Sequence, residues 1–203
     1  MKILAIAGSP RRGGNTDTLL EQASAGARSM GAEVEQVILN RLKIAPCMAC
    51  NRCFETGRCA VNDDYQPLYD KTLGADGLIL ASPIFFMNVS GWTKAFIDRF
   101  QCLWALRYVL KQPIPLPPGG KKRRAIFLST AGSPKTKFDC TLYTVRAFLS
   151  TIDAQLVGMQ CINAVDEKGA IAAYPEVLQE AYALGVRLAS DQEPDTVKEG
   201  ESA

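Results

Sequence analysis

The chain contains no histidine. That absence removes the commonest general acid-base group, so neither a Ser-His-Asp nor a Cys-His nucleophile can be assembled. An excess of charge of either sign is missing too: 23 Lys and Arg against 21 Asp and Glu leave +2, too small a balance to argue for a nucleic-acid partner. No window of about 18 consecutive apolar residues occurs, which excludes a membrane-spanning helix. The opening MKILAIAGSP imitates a signal peptide only until Gly-Ser-Pro-Arg-Arg breaks its apolar run, with no cleavage-like site behind it. A cytoplasmic location is therefore expected, where thiols stay reduced and metal binding or redox chemistry is favoured over a disulfide framework. Internal repeats are lacking as well. The 47% hydrophobic and 22% charged residues lie near globular averages, which argues against disorder or a fibrous repeat.

What is present is a chain of 203 residues, enough for one domain with a core that needs no staples. Four apolar runs, KILAIAG, GLILASP, RAIFLSTAG and QLVGMQCI, read as buried strands, and EVEQVIL alternates as a sheet-edge strand does. Helical spacing occupies the intervals, most clearly Thr16 to Met30, Ser90 to Leu106 and Tyr174 to Leu188. Alternation to the end predicts a doubly wound α/β sheet of five parallel strands. Residues 1–190 are expected to form the domain, and the acidic DQEPDTVKEGESA at 191–203 a disordered tail. The basic run Lys121 to Arg124 reads as a solvated strand entrance. Proline excludes regular structure from Lys111 to Gly120, which leaves that segment as an arm for reaching a neighbouring subunit. Asp63 and Asp64 read as helix caps, and Cys102, Cys140 and Cys161 as buried small hydrophobes.

The loop after the first strand, SPRRGGNT, opens a helix, and in such a sheet that turn binds anions through free N–H groups and the helix dipole. Gly14-Asn15 stands where a P-loop needs Lys-Ser/Thr, and Gly-x-Gly-x-x-Gly is absent. A monophosphate cradle remains, with Ser9, Asn15 and Thr16 as donors and Arg11 or Arg12 as charge partner; it suits the phosphate of FMN. The alternative is a simple helix cap beside solvated arginines. Pro83, Ile84, Phe85, Phe86, Met87 and Asn88 lie at the carboxyl end of the third strand and offer an apolar wall with backbone and amide groups for a flat heterocycle. Ser129 to Pro134 follows the fourth strand as a small-residue turn able to approach a ring with its backbone.

Cys47, Cys50, Cys53 and Cys59 form C-x2-C-x2-C-x5-C, a spacing that wraps the backbone round one site as in ferredoxin-type runs. Structural zinc sites more often come as two separated C-x2-C pairs. Iron-sulfur binding, zinc binding and free thiols all remain open on spacing alone, with iron-sulfur ahead.

GSPRRGGNTDTLL, SPIFFMNVSGWTKAFIDRF and the cysteine loop ending CAVNDDY together resemble the flavodoxin-like NAD(P)H-dependent FMN reductases and, within them, the iron-sulfur flavoproteins. The resemblance runs from Met1 to about residue 165. It implies sheet order 2-1-3-4-5 with the cysteine loop inserted after strand 2, non-covalent FMN, and a homodimer or homotetramer. On matching positions, Ser9, Arg11, Asn15 and Thr16 would hold the phosphate, Pro83 to Asn88 the isoalloxazine, and Thr130, Ala131 and Gly132 its other edge. Cys47, Cys50, Cys53 and Cys59 would ligate a [4Fe-4S] cluster. Phe85 stands where relatives often carry tyrosine. No catalytic side chain is assigned, and the electron donor implied is a reduced pyridine nucleotide or a ferredoxin-like protein. The leading expectation is thus an FMN-dependent oxidoreductase or electron-transfer protein with one cluster. The alternatives are a cluster-free NAD(P)H-dependent FMN or quinone reductase, and a non-enzymatic redox sensor or zinc-stabilised binding protein.

Overall fold

A strand buried on both faces need not alternate polar with apolar residues, and three strands show that pattern. These are β1 (Lys2–Ala7), which is buried after its first residue, then β3 (Gly77–Ala81) and β6 (Arg123–Thr130). β2 (Glu33–Ile38) keeps its acidic side chains outside and forms one edge, while the half-buried β7 (Ala154–Ile162) forms the other. The order is β2-β1-β3-β6-β7 with every neighbour parallel. Apart from a two-residue antiparallel hairpin, β4 (Ile84–Phe85) with β5 (Asn88–Val89), this is the flavodoxin-like 2-1-3-4-5 order expected from the sequence. The structure, a computed structural model, describes residues 1–190; the tail expected at 191–203 lies outside the described residues.

The described residues form seven α-helices: α1 (Asn15–Ser29), α2 (Cys53–Thr56) within the cysteine loop, α3 (Tyr65–Gly74), α4 (Gly91–Asp98), α5 (Gln101–Tyr108), α6 (Asp139–Thr151) and α7 (Pro175–Ala189). Successive side chains of a strand point to opposite faces, so β1 sends Ile3, Ala5 and Ala7 to a core under α1 and α7, and Leu4 and Ile6 to a second core under α3 to α6. The first core is thin because α1 and α7 touch backbone to backbone. A Cβ at Gly185 would lie 1.8 Å from the Ala23 carbonyl oxygen, and one at Gly26 would lie 2.0 Å from that of Tyr182.

Three expectations need correction. The single helix from Ser90 to Leu106 breaks at Arg99-Phe100, where the Phe100 N–H bonds the Ile97 carbonyl; this tighter turn keeps Phe100 in the core and turns Arg99 toward the cysteine loop. The basic run is not simply a solvated entrance: Lys121 and Lys122 are exposed, but Arg123 is 0% exposed. Its guanidinium donates to the carbonyls of Thr72 and Leu73 at the end of α3, of Ile152 at the end of α6, and of Pro115. Helix carboxyl ends leave carbonyls without partners and attract cations, so one side chain serves two of them. Of the three cysteines expected inside, Cys102 is buried and Cys161 half-buried, but Cys140 is exposed, lying in the first turn of α6 beside buried Thr141. The proline segment rests on its own core through Ile114 and the Pro115 carbonyl.

Candidate functional site

The carboxyl ends of the sheet strands are fastened by hydroxyls. Ser129 Oγ donates to the Ser82 carbonyl at 2.7 Å, Ser82 Oγ accepts the Ser90 N–H at 2.9 Å, and Ser90 Oγ donates to the Gly8 carbonyl at 2.6 Å. All three serines are buried. Their bonds fix the turns after β6, β3 and β1 relative to one another, and pattern reading alone did not single them out for this. Gly8 cannot carry a side chain here, since a Cβ would meet Thr93 Oγ1 at 2.0 Å.

A cavity of about 100 Å³ opens above these turns. Ser9, Arg11, Asn15 and Thr16 line it from the first loop, Pro83, Ile84 and Phe85 from the third, and Thr130 and Gly132 from the fourth. Gly14 precedes α1 with no side-chain cap, and the first intrahelical bond runs from the Thr18 N–H to the Gly14 carbonyl. The N–H groups of Asn15, Thr16 and Asp17 therefore precede any helical partner, and the positive end of the α1 dipole lies at the cavity.

Several side chains assigned to the phosphate are already engaged. Asn15 Nδ2 donates to the carbonyls of Val165 and Glu167, and its Oδ1 accepts the Ile171 N–H. Thr16 and Thr130 share a hydroxyl bond of 2.7 Å. Ser9 Oγ accepts the Arg11 N–H. These residues shape the cradle, leaving backbone N–H groups and a guanidinium to meet an anion. The two arginines divide: Arg12 pairs with Asp17 at 2.6 Å, whereas Arg11 reaches across to the Asp166 carbonyl and meets no carboxylate among the described residues. Asp17 is 1% exposed, and burial raises its pKa although the Gly13 N–H and Arg12 pull the other way.

Phe86, Met87 and Asn88 do not line the cavity. They form the hairpin tip, where Phe86 and Met87 take left-handed φ of 49° and 63°, Phe86 is fully exposed and the Asn88 amide oxygen accepts the Val89 N–H. Ala131 also stays out, its N–H and carbonyl pairing with Ile162 and Val165. The loop after β7 enters instead, through Val165, Asp166 and Lys168. It carries no motif, but its place after a strand's carboxyl end was the available signal.

The cysteine loop lies elsewhere, between β2 and α3. Cys47, Cys50, Cys53 and Cys59 line one small cavity of about 20 Å³, with Cys102 and Arg99 in its wall. Left-handed backbone at Ala49 and Asn51 (φ 50° and 57°) curls the chain between them. Soft thiolate donors of this number suit zinc or an iron-sulfur cluster. In this conformation the thiols are not drawn up to ligand spacing: among the described residues no group of three or more His, Cys, Asp or Glu side chains forms a ready ion site. Burial, then the neighbouring Cys59, Cys47 and Cys50, push the Cys53 pKa up. Asp63 closes the loop's base: its carboxylate accepts the N–H groups of Ala45 and Tyr65, the latter at the start of α3 as a cap would. Asp64 bonds the Lys43 N–H instead. A larger groove of about 480 Å³ runs past Cys47 between α4, α5 and α6, and none of the turns after β1, β3 or β6 lines it.

Residues 1–165 match the family model for NADPH-dependent FMN reductase. The chain is 35% identical over 124 residues to an iron-sulfur flavoprotein of Methanosarcina thermophila, across 60% of this chain and 65% of that one. It is 40% identical over 99 residues to iron-sulfur flavoprotein MJ1083 of Methanocaldococcus jannaschii, across 49% and 51%. The matches thus span about half to two-thirds of these relatives' own length. Among solved structures, apo NADH:FMN oxidoreductase (EMOB) superposes with TM-score 0.62 at 25% identity, covering 96% of this chain and 92% of that one. NAD(P)H:quinone oxidoreductase from Methanothermobacter marburgensis superposes with TM-score 0.67 at 15% identity, covering 93% and 98%; that likeness is of fold alone.

Proposed function

The chain belongs to the NADPH-dependent FMN reductase family, and from that premise we propose that it is an FMN-dependent oxidoreductase that also carries a [4Fe-4S] cluster in its cysteine loop. The observation that carries the flavin reading is the cavity at the sheet's carboxyl edge, where an uncapped helix N-terminus, Arg11 and the loops after β1, β3 and β6 converge. The N–H groups at the start of α1 and the Arg11 guanidinium bind the phosphate. Pro83, Ile84 and Phe85 supply an apolar wall that orients the ring and excludes water, and Thr130 and Gly132 face its other side. Bound FMN supplies a centre that takes a hydride and can release single electrons. With no histidine to move a proton, the chain's part is to bind, orient and shield.

Cys47, Cys50, Cys53 and Cys59 are the proposed cluster ligands. Their shared cavity and the names of the methanogen relatives support this reading; such a group supplies one-electron transfer. The proposed electron donor is a reduced pyridine nucleotide, with a ferredoxin-like protein as the alternative. The proposed assembly is a homodimer or homotetramer in the cytoplasm. Among the described residues no helix is long and apolar enough to cross a membrane.

FMN, iron and acid-labile sulfide per chain, measured in protein purified without oxygen, test the proposal. FMN together with about four iron and about four sulfide is the expected result. FMN alone would select a second reading, a cluster-free NAD(P)H-dependent flavin or quinone reductase. That reading is favoured by the completeness of the flavin cavity without any residue of the cysteine loop. Protein that binds no FMN would overturn both, in favour of a zinc-stabilised or thiol-based sensor.

A further inference from the structure

Arg99 sits at the junction of α4 and α5 and is 1% exposed. A buried guanidinium must satisfy its donors and its charge, and every partner of this one belongs to the flanks of the cysteine loop. Nη1 donates to the Ala45 carbonyl at 2.9 Å and to the Asp63 carboxylate at 2.7 Å, and Nη2 donates to the Val61 carbonyl at 3.0 Å. The ring of Tyr65 lies beneath, 4.5 Å from Cζ. With the planar fork so held, its Nε–H points at Cys59 Sγ at 3.2 Å.

We propose that Arg99 is a positioning residue for the cysteine-bound group: its Nε–H orients the Cys59 sulfur and makes the bound cluster easier to reduce. The inference rests on the cluster reading given above. Hydrogen bonds to ligand sulfurs are one of the means by which a protein sets a cluster's potential. The reduced cluster carries one more negative charge, which a short N–H···S contact from a cation favours. Asp63 offsets the guanidinium charge at longer range, so the local contact is what distinguishes the two redox states. Lysine could preserve the charge opposite Asp63 but lacks the rigid fork that serves Ala45, Val61, Asp63 and Cys59 together. Gln66 provides an internal control, since its Nε2 ties the same flank through the carbonyls of Cys59 and Val61 and touches no sulfur.

The experiment is an anaerobic redox titration of the holoprotein, followed by electron paramagnetic resonance of the reduced cluster, for the wild type, Arg99→Lys and Gln66→Ala. Retained FMN reports that each variant folds. The expected result is a cluster potential more negative in Arg99→Lys by about a tenfold change in the reduction equilibrium, ~59 mV for a one-electron couple. Gln66→Ala is expected to leave the potential where it was. A purely structural role for Arg99 would move neither potential, or both alike, and either result overturns the inference. A second measurement needs no variant: pulsed electron paramagnetic resonance of the reduced wild type, grown with arginine ¹⁵N-labelled at Nε alone, should detect one weakly coupled nitrogen. Its absence overturns the inference even where Arg99→Lys does not fold. Wild-type protein with FMN but neither iron nor sulfide overturns the cluster reading and this inference together, whereas a cluster indifferent to Arg99 overturns this inference alone.

Discussion

Replacing Arg11 by alanine is expected to weaken FMN binding about tenfold without changing the stability of the apoprotein, and replacing Arg12 is expected to do the reverse. The two residues are adjacent and identical, so only their surroundings separate them. Arg11 lines the cavity and has no carboxylate partner among the described residues. A charge-assisted bond to phosphate contributes about 1.5–3 kcal/mol; because Arg11 is exposed, the lower end applies after solvent screening, and about 1.4 kcal/mol is tenfold in affinity. Its share should shrink further as salt is raised. Arg12 is committed to Asp17 at 2.6 Å, with side-chain exposures of 35% and 1%. Removing it leaves a buried carboxylate facing little but the Gly13 N–H, at a cost of about 1–2 kcal/mol once Arg12's partial exposure is allowed for. Asp17→Asn in the Arg12→Ala background should recover most of that loss. Quenching of flavin fluorescence on titration with apoprotein reads the affinity, and urea unfolding of the apoprotein reads the stability. An Arg11→Ala protein with wild-type affinity, or an Arg12→Ala protein that loses tenfold in affinity at unchanged stability, would refute this division.

Cys50→Ser should lose iron and sulfide while keeping FMN, whereas Cys102→Ala, in the wall of the same small cavity but outside the proposed ligand set, should keep all three; anaerobic metal and sulfide analysis decides. Asp63 predicts a pH dependence. Burial pushes its pKa up, but bonds from Arg99, the Ala45 N–H and the Tyr65 N–H outweigh burial and hold it below its ordinary 3.8. A depressed folded value means the unfolded chain takes up a proton first. The stabilisation is therefore complete above about pH 3.8 and disappears as pH falls through the folded value. Asp63→Asn should be less stable than wild type in urea at pH 7 and show a flatter decline below pH 4, and parallel curves would sink the assignment. Arg123→Met should cost about 3 kcal/mol in urea unfolding, since it strands carbonyls at the ends of α3 and α6, with FMN affinity in the folded protein unchanged; a loss below about 1 kcal/mol would contradict the capping role.

Most of the sheet was readable because it depends on local pattern: runs such as GLILA are apolar throughout only where both faces are covered. The positions of the cavity loops followed from the same rule, since ligands in open α/β sheets sit beyond strand carboxyl ends. What escaped notice is long-range. Nothing near Asn15 signals that its amide is spent on residues 165, 167 and 171, about 150 positions away. Phe86 and Met87 read as a wall because apolar side chains usually line something, whereas the hairpin's left-handed turn carries them out to its tip. Arg123 and Arg99 illustrate the same limit more sharply. A charged residue looks solvated until folding delivers several carbonyls, a carboxylate or a thiol to it, and those partners lie from 8 to 54 positions away.

The segment SPIFFMNVSGWTKAFIDRFQC also joins the two candidate centres physically. Its serine at position 90 caps α4, accepting the Thr93 N–H, and donates to the Gly8 carbonyl beneath the proposed flavin site. At the other end of the same helix Arg99 holds the base and one sulfur of the cysteine loop. Eight helical residues rise about 12 Å, so the two sites are set at either end of one short, rigid element rather than on separate mobile loops. Their separation is then a property of helix geometry and of two end fastenings. Ser90 serves the flavin end through neutral hydroxyl bonds, and Arg99 serves the cysteine end through a buried charge with its counter-ion beside it. Damage at one end leaves the other's partners in place. On this argument loss of the cysteine-bound group should leave the flavin cavity intact, which is the physical basis for treating a cluster-free flavin reductase as the reading next in line rather than as a misfolded form of the first.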